Sequence, residues 1–364
     1  MIGLWDTTGI EVVKALASER RSAGGVASGM ALSLIVVVDE KRVREAEAAA
    51  TIATSAHPCR LLMVVRSDFE RPNNRLDAEI VVGGRLGPCE AVVMRMYGRL
   101  ALHAESVVMP LLVPDVPVVT WWHGTPPDRI ANDYLGVVAD RRITDSAMAP
   151  DRIAALRQRA TDYSPGDTDL AWTRITPWRT LLAGAFDTLE AQVTGATIVA
   201  PESDPTAAIM SGWLTSRLGI QPRWESTTSH PRMRSIALEC ANGDVLALTR
   251  EDSSATFTRT GQADRTLPLV RRPVGDELAE ELRRLDADQV YGEALGAFAG
   301  LPGLDRRPPK RVHEWRDPVQ EKAAVASGLP SGPAGGLPSA PAGGLPSAPA
   351  GGLPSAPAGG LADG

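Results

Sequence analysis

The sequence predicts an α/β protein. An N-terminal α/β domain with a mixed sheet is expected over residues 1–150, an α+β domain over 151–305, and a linker with a disordered Gly/Pro/Ser/Ala repeat tail over 306–364. Three observations carry this expectation. Apolar strand-like runs alternate with helix-patterned segments through the first 120 residues. Strand alternation with hairpin signals dominates the later half, between helical patterns. From Gly328 onward, one eight-residue unit recurs four times, at 328–335, 336–343, 344–351 and 352–359.

Thr8-Gly-Ile-Glu11 has the form of a capping box and opens a helix with Ile10, Val13 and Ala17 at helical spacing, ended by Gly24-Gly25. Ala31 to Val38 is a continuous apolar run, suited to a strand buried on both faces. Asp39 is placed to cap the next helix, which carries Val43, Ala46 and Ala50 and stops before His57-Pro58. Arg60 to Val65 reads as a strand. Leu76 to Val82 alternates with Asp77 and Glu79 as a half-exposed strand, and Val92 to Met96 follows it. A helix over Arg99 to Met109 and a strand over Val116 to Trp122 complete the first domain.

Helices are expected over Asp151–Ala160, Pro177–Leu189 and Pro205–Leu218, with a short strand over Thr197–Ala200. Met233–Cys240, Val245–Thr249 and Ala255–Thr260 form an antiparallel meander whose first turn is Asn242-Gly243, a two-residue hairpin signal. One closing helix is expected over Asp276–Phe298, with Leu278, Leu282 and Leu285 facing inward. The repeat tail has too little apolar surface for a core, and its glycines do not recur every third residue as collagen requires.

Net charge is -6 and no basic stripe is visible, which argues against nucleic acid as a partner. The longest aliphatic run, Leu34 to Val38, is far short of the ~20 residues a membrane helix needs. No basic region followed by an apolar core opens the chain, so a cytoplasmic protein without a membrane partner is expected. Cys59, Cys89 and Cys240 form no Cys-x-x-Cys pair, so no metal site or disulfide framework is indicated. Cys59 and Cys240 read as core residues of strands.

No Gly-x-Ser-x-Gly elbow, His-Glu-x-x-His helix or Walker loop is present. Gly83 to Gly87 lacks dinucleotide-loop spacing and reads as a turn. Half of the aromatic residues are Trp, eight against four Tyr and four Phe. Six of them are Trp121, Trp122, Trp172, Trp178, Trp213 and Trp224, and several have Arg close by in sequence, densest in Asp169-Leu-Ala-Trp172-Thr-Arg174-Ile-Thr-Pro-Trp178-Arg179. Trp and Arg are enriched at binding hot spots, although Trp172 and Trp178 also suit the core of a helix. Asp140-Arg141-Arg142-Ile-Thr144-Asp145-Ser146 suits either anion or partner binding or a salt-bridged loop.

Leu76 to Ile80, Glu90 to Gly98, Leu111 to Trp122, Ala139 to Ser146, Asp169 to Phe186 and His57-Pro58-Cys59-Arg60 together resemble the OpcA family, glucose-6-phosphate dehydrogenase assembly proteins of actinobacteria and cyanobacteria. The resemblance runs in order from about residue 5 to about residue 300 and leaves out the tail. It implies a non-catalytic protein without cofactor, whose partner is glucose-6-phosphate dehydrogenase of the oxidative pentose phosphate pathway. An assembly factor and allosteric activator is therefore expected. Trp121, Trp122, Arg141, Arg142, Asp145, Trp172, Arg174, Trp178 and Arg179 are the candidates for its contact surface. The competing expectations are a sugar-phosphate enzyme using Arg141 and Arg142 as a phosphate clamp with His123 as acid or base, and a scaffold acting through its tail.

Overall fold

The Thr8-x-x-Glu11 pattern closes as a reciprocal cap. The Thr8 amide donates to the Glu11 carboxylate at 3.1 Å, and the Glu11 amide donates to Thr8 Oγ1 at 3.4 Å. It starts α1 (Gly9–Ser22), which follows β1 (Ile2–Leu4). The computed structural model describes residues 1–22, 29–55, 58–68, 71–83, 89–186, 189, 191–310 and 312–313. His57, the Gly24-Gly25 stop, most of the Gly83–Gly87 turn and the repeat tail lie outside them.

The first sheet has eight strands: β1, β2 (Leu32–Asp39), β3 (Cys59–Arg66), β4 (Arg75–Val82), β5 (Glu90–Tyr97), β6 (Val118–His123), β7 (Arg141–Thr144) and β8 (Asp167–Asp169). Their order is β1-β4-β5-β3-β2-β6-β7-β8. From β5 through β8 the strands are parallel, while β4 runs antiparallel to both β5 and β1. The mixed sheet expected from sequence is thus present, and its last strand draws on residues beyond 150. Successive residues of β2 feed opposite faces, Ile35 and Val37 one core and Leu34, Val36 and Val38 the other. The second core includes α2 (Val43–Ser55).

The second sheet has the order β10-β9-β11-β12-β13-β14. It is built from β9 (Val193–Ala200), β10 (Arg223–Ser226), β11 (Ser235–Cys240), β12 (Val245–Arg250), β13 (Ser254–Arg259) and β14 (Arg265–Pro268). Gly243 has φ 85°, as the turn between β11 and β12 requires. Helices α5 (Arg152–Asp162), α6 (Leu170–Arg174), α7 (Thr176–Phe186), α8 (Pro205–Leu218) and α10 (Gln289–Ala299) contribute to this sheet's core. The short helices α3 (Glu105–Val108) and α4 (Tyr134–Val137) belong to the first lobe, whereas α9 (Val274–Glu281) returns from the second sheet to the α2 face of the first. Gly275 permits that return, because a Cβ there would sit 2.6 Å from Ile52 Cβ and 2.9 Å from the Ala49 carbonyl oxygen.

Four expectations need correction. The Arg99–Met109 helix is two 3₁₀ turns around α3, because Gly98 enters at φ 64°, His103 leaves the helical region, and Pro110 has no amide to donate. The closing helix is two helices, since the Asp288 side chain caps the Tyr291 amide at 3.0 Å and starts α10 afresh. Asp39 makes no side-chain cap, and a 3₁₀ turn over Glu40–Arg42 leads into α2 instead. Asp77 is only 3 % exposed, because β1 covers the edge and the Asp6 amide and Arg75 guanidinium both donate to its carboxylate at 2.9 Å.

All three cysteines are buried. Cys59 opens β3 and Cys89 immediately precedes β5, whose Glu90 pairs with Arg60, so the fold brings the two thiols into contact. Their mutual hydrogen bond pulls the Cys89 thiol down to about 6 against the opposing effect of burial.

Candidate functional site

Two adjacent strand residues point to opposite faces, and this decides the fate of Arg141 and Arg142. Arg141 shares the face of Ile143 and is ion-paired with Glu281 of α9, donating also to the Asp286 carbonyl at 2.9 Å. Arg142 turns the other way. It pairs with Asp167 and donates to the Ala139 carbonyl at 2.8 Å and the Pro165 carbonyl at 2.6 Å. Burial holds the Asp167 carboxyl above the usual range, and Arg142 opposes that shift.

The end of β8 leads directly into α6, whose side chains meet carboxylates from the end of β7, from α9 and from Asp288, the cap of α10. Arg174 grips Asp145 with two bonds of 2.7 Å and reaches Glu277 through Nε at 3.1 Å. Burial disfavours its charge, but Asp145 and Glu277 outweigh that and hold the guanidinium above its usual range. Thr173 Oγ1 donates to Glu281 at 2.5 Å, and Trp172 Nε1 donates to Asp288 at 2.8 Å. Asp169, fully buried, accepts from Thr144 Oγ1, the Ser146 amide and hydroxyl, and the Ala171 amide. A polar seam therefore joins the C-terminal ends of β7 and β8 to α9.

Two clefts flank this seam. One is lined by Arg141, Trp172, Arg179, Trp213, Arg283 and Arg284 among others. Within it the Arg179 guanidinium stacks 3.5 Å from the Trp172 ring centre, a cation–π contact, and Nη2 donates to Thr176 Oγ1 at 3.0 Å. Burial pushes Arg179 down to about 10, against the pull of Asp288, Glu280 and Glu281. Arg283 and Arg284 stand exposed at its rim. The other cleft is lined by Arg174 and Trp178 together with Arg250 at the end of β12 and arginines of the connections before β11 and after β14.

Of the nine residues singled out in sequence, seven are buried as the chain stands: Trp121, Trp122, Arg141, Arg142, Asp145, Trp172 and Trp178. Trp121 and Trp122 face opposite cores of the first sheet, and neither lines either cleft. Trp172 and Trp178 belong to the core of the second lobe. Arg174 and Arg179 are half-buried. These residues brace the seam more than they present a surface. Arg141, Trp172 and Arg179 nevertheless converge on one cleft, a grouping that spacing along the chain does not reveal.

A phosphate clamp by Arg141 and Arg142 does not form. The pair lies on opposite faces of the strand, and both guanidiniums are engaged by carboxylates and carbonyls. His123 is 1 % exposed and 3.4 Å from Glu45; burial holds it below the usual imidazole range, against the pull of Glu45. Glu277 and Glu281 were missed in the sequence. One helical turn apart beside Leu278 and Leu282, they share the inward face of α9, and a carboxylate pair at that spacing on an apolar stripe was the available signal. Among the described residues, no three His, Cys, Asp or Glu side chains group as a metal site, and no helix is long and apolar enough to cross a membrane.

Comparison with known proteins bears on both lobes. A family model described as the glucose-6-phosphate dehydrogenase subunit N-terminal domain matches residues 50–161, and one described as the C-terminal domain of that subunit matches residues 165–295. The chain belongs to the OpcA family. The OxPP cycle protein OpcA of Synechococcus elongatus is 34 % identical over 143 residues, covering 37 % of this chain and 32 % of that protein. The OpcA protein of Synechocystis is 28 % identical over 187 residues, covering 47 % of this chain and 39 % of that protein. The matched segments thus span less than half the length of these OpcA relatives. Among solved structures, a 3-ketoreductase from Actinomadura kijaniata aligns with 74 % of this chain and 95 % of its own at 10 % identity, with a TM-score of 0.42.

Proposed function

We propose that this chain is a non-catalytic assembly factor and allosteric activator of glucose-6-phosphate dehydrogenase. The observation that carries the reading is the pair of family matches, which take in both lobes and are each described by that enzyme's subunit. This reading takes one of the two clefts as the docking place. The cleft holding Arg179 on Trp172 is bordered by exposed Arg283 and Arg284, and Glu280, Glu281, Asp286 and Asp288 line it beside its arginines, so it offers a mixed-charge surface suited to paired ionic contacts with a partner. A partner bound across that cleft would touch α7 and the α9–α10 connection together. Activation follows if this chain binds the active conformation of the dehydrogenase more tightly than the inactive one, with a coupling of about 1–3 kcal/mol giving roughly 5–150-fold in substrate affinity.

The test is a glucose-6-phosphate titration of the cognate dehydrogenase with and without this chain, beside size-exclusion chromatography of the mixture. Co-elution with a lowered KM or raised kcat supports the reading; unchanged kinetics and separate elution refute it. The double variant R283E/R284E leaves the described ion pairs intact and is expected to abolish co-elution. Deleting residues 328–364 is expected to leave activation unchanged, which separates this reading from a scaffold working through its repeats.

A further inference from the structure

The second cleft is strongly unbalanced in charge. Five arginines line it, Arg174, Arg232, Arg250, Arg271 and Arg272, against a single carboxylate, Glu277. Two of the five are already neutralised: Arg174 holds Asp145 and Glu277, and Arg272 pairs with Glu280. The guanidiniums of Arg232, Arg250 and Arg271 have no carboxylate or carbonyl acceptor among the described residues. Arg250 Nε is buried without a hydrogen-bond partner, while its guanidinium lies 5.0 Å from the Trp178 ring centre. The nearby Asp204 is committed to capping α8, accepting from the Thr206 amide at 2.9 Å and the Met233 amide at 2.5 Å.

Like charges brought together and partly desolvated are costly unless an anion joins them. The cost is visible at Arg250, which is pushed down to about 10 by burial and by the charges of Arg271 and Arg232. These three arginines come from separate places: the approach to β11, the end of β12, and the connection from β14 to α9. Folding alone assembles them, around a small cleft of about 30 Å³ that Trp178 and Met233 also line.

We propose that this cleft is a binding site for a phosphate group, with Arg232, Arg250 and Arg271 as its ligands. Three forked guanidiniums match the charge and the three terminal oxygens of a phosphomonoester dianion better than the two oxygens and single charge of a carboxylate. The site is distinct from the cleft assigned to the dehydrogenase, and its test uses no dehydrogenase, so the two readings stand or fall separately.

The experiment is isothermal titration of the full chain with inorganic phosphate, at ionic strength held constant with sodium chloride, and in parallel with sodium acetate. Saturable one-to-one phosphate binding is expected, with acetate much weaker. Arg232 and Arg271 are exposed and crowd Arg250, so R232A and R271A should melt at or above the parent's temperature without phosphate. Each should weaken phosphate binding on the order of 10-fold or more, the loss of one charge-assisted hydrogen-bond donor. R250K keeps the charge without the fork and is expected to weaken binding too. No saturable heat, equal affinity in R232A and R271A, or acetate binding as tightly as phosphate would each overturn the proposal.

Discussion

Replacing Arg174 with Met tests whether the polar seam holds the two lobes together. The side chain keeps an unbranched apolar stem but loses the guanidinium and its charge, leaving Asp145 and Glu277 without their shared partner at 2 % and 5 % side-chain exposure. Three charge-assisted hydrogen bonds disappear, those to Asp145 at 2.7 Å twice and to Glu277 at 3.1 Å. At about 1.5–3 kcal/mol each, simple addition would exceed 4 kcal/mol. Removing one member of a buried ion pair costs about 3–5 kcal/mol, because the remaining charge is left unpaired, and that range is expected for R174M at pH 7. Glu277 sets the pH dependence. Burial already holds it above the usual carboxylate range in spite of Arg174, and without Arg174 it rises further. The folded chain then keeps a proton that the unfolded chain gives up, so the loss is largest above neutrality and shrinks as pH falls toward the unfolded carboxylate value, about 4. Urea unfolding followed by tryptophan fluorescence reads both quantities. The triple variant D145N/R174M/E277Q removes the orphaned charges and should recover most of the stability. A loss under about 1 kcal/mol for R174M with an unchanged m-value would refute the account of the seam.

Asp162 is pushed up to about 7 by burial, against the pull of Arg159, so the folded state holds its proton longer than the unfolded state. Stability should therefore fall by up to about 1.4 kcal/mol per pH unit as pH rises from about 4 to about 7, and D162N should flatten that slope in pH-dependent urea titrations. W178A empties a core position that is 1 % exposed and should cost about 3–5 kcal/mol, so any loss of partner binding must be read beside a melting curve, whereas the half-buried Arg179 can be tested as R179A in a chain that still folds. G212A would place a Cβ 2.1 Å from the Ala294 carbonyl oxygen and 2.8 Å from Phe298 Cβ, forcing α8 and α10 apart; a drop of about 1–3 kcal/mol or more is expected by thermal unfolding, and an unchanged melting temperature would contradict the close packing of these helices.

Elements whose periodicity is local were legible. The Thr8 capping box, the doubly buried run of β2, the Asn242-Gly243 turn and the Asp151-capped α5 each follow from neighbours within a few residues. Segments defined by distant partners were not. The three-residue β1 and β8 have no pattern of their own and exist because β4 and β7 offer edges to pair with. The split of the closing helix turned on one capping side chain, Asp288, inside a pattern that otherwise continued.

For the candidate site, the chain's order by itself marked the segments that matter, because Trp and Arg crowd together in 169–179 and 140–146 whatever the fold. Its motifs also carried the OpcA resemblance, to which the family matches over 50–161 and 165–295 correspond. Which of those side chains face solvent was decided only in three dimensions. Strand alternation sends Arg141 and Arg142 to opposite faces, and α9 returns to set Glu277 and Glu281 against Arg174 and Arg141 across more than a hundred residues of chain. Cys59 with Cys89, and Arg232 with Arg250 and Arg271, likewise meet only through sheet pairing and loop placement. Spacing along a chain encodes local geometry, whereas these encounters depend on closing long loops, which only the packed core makes favourable.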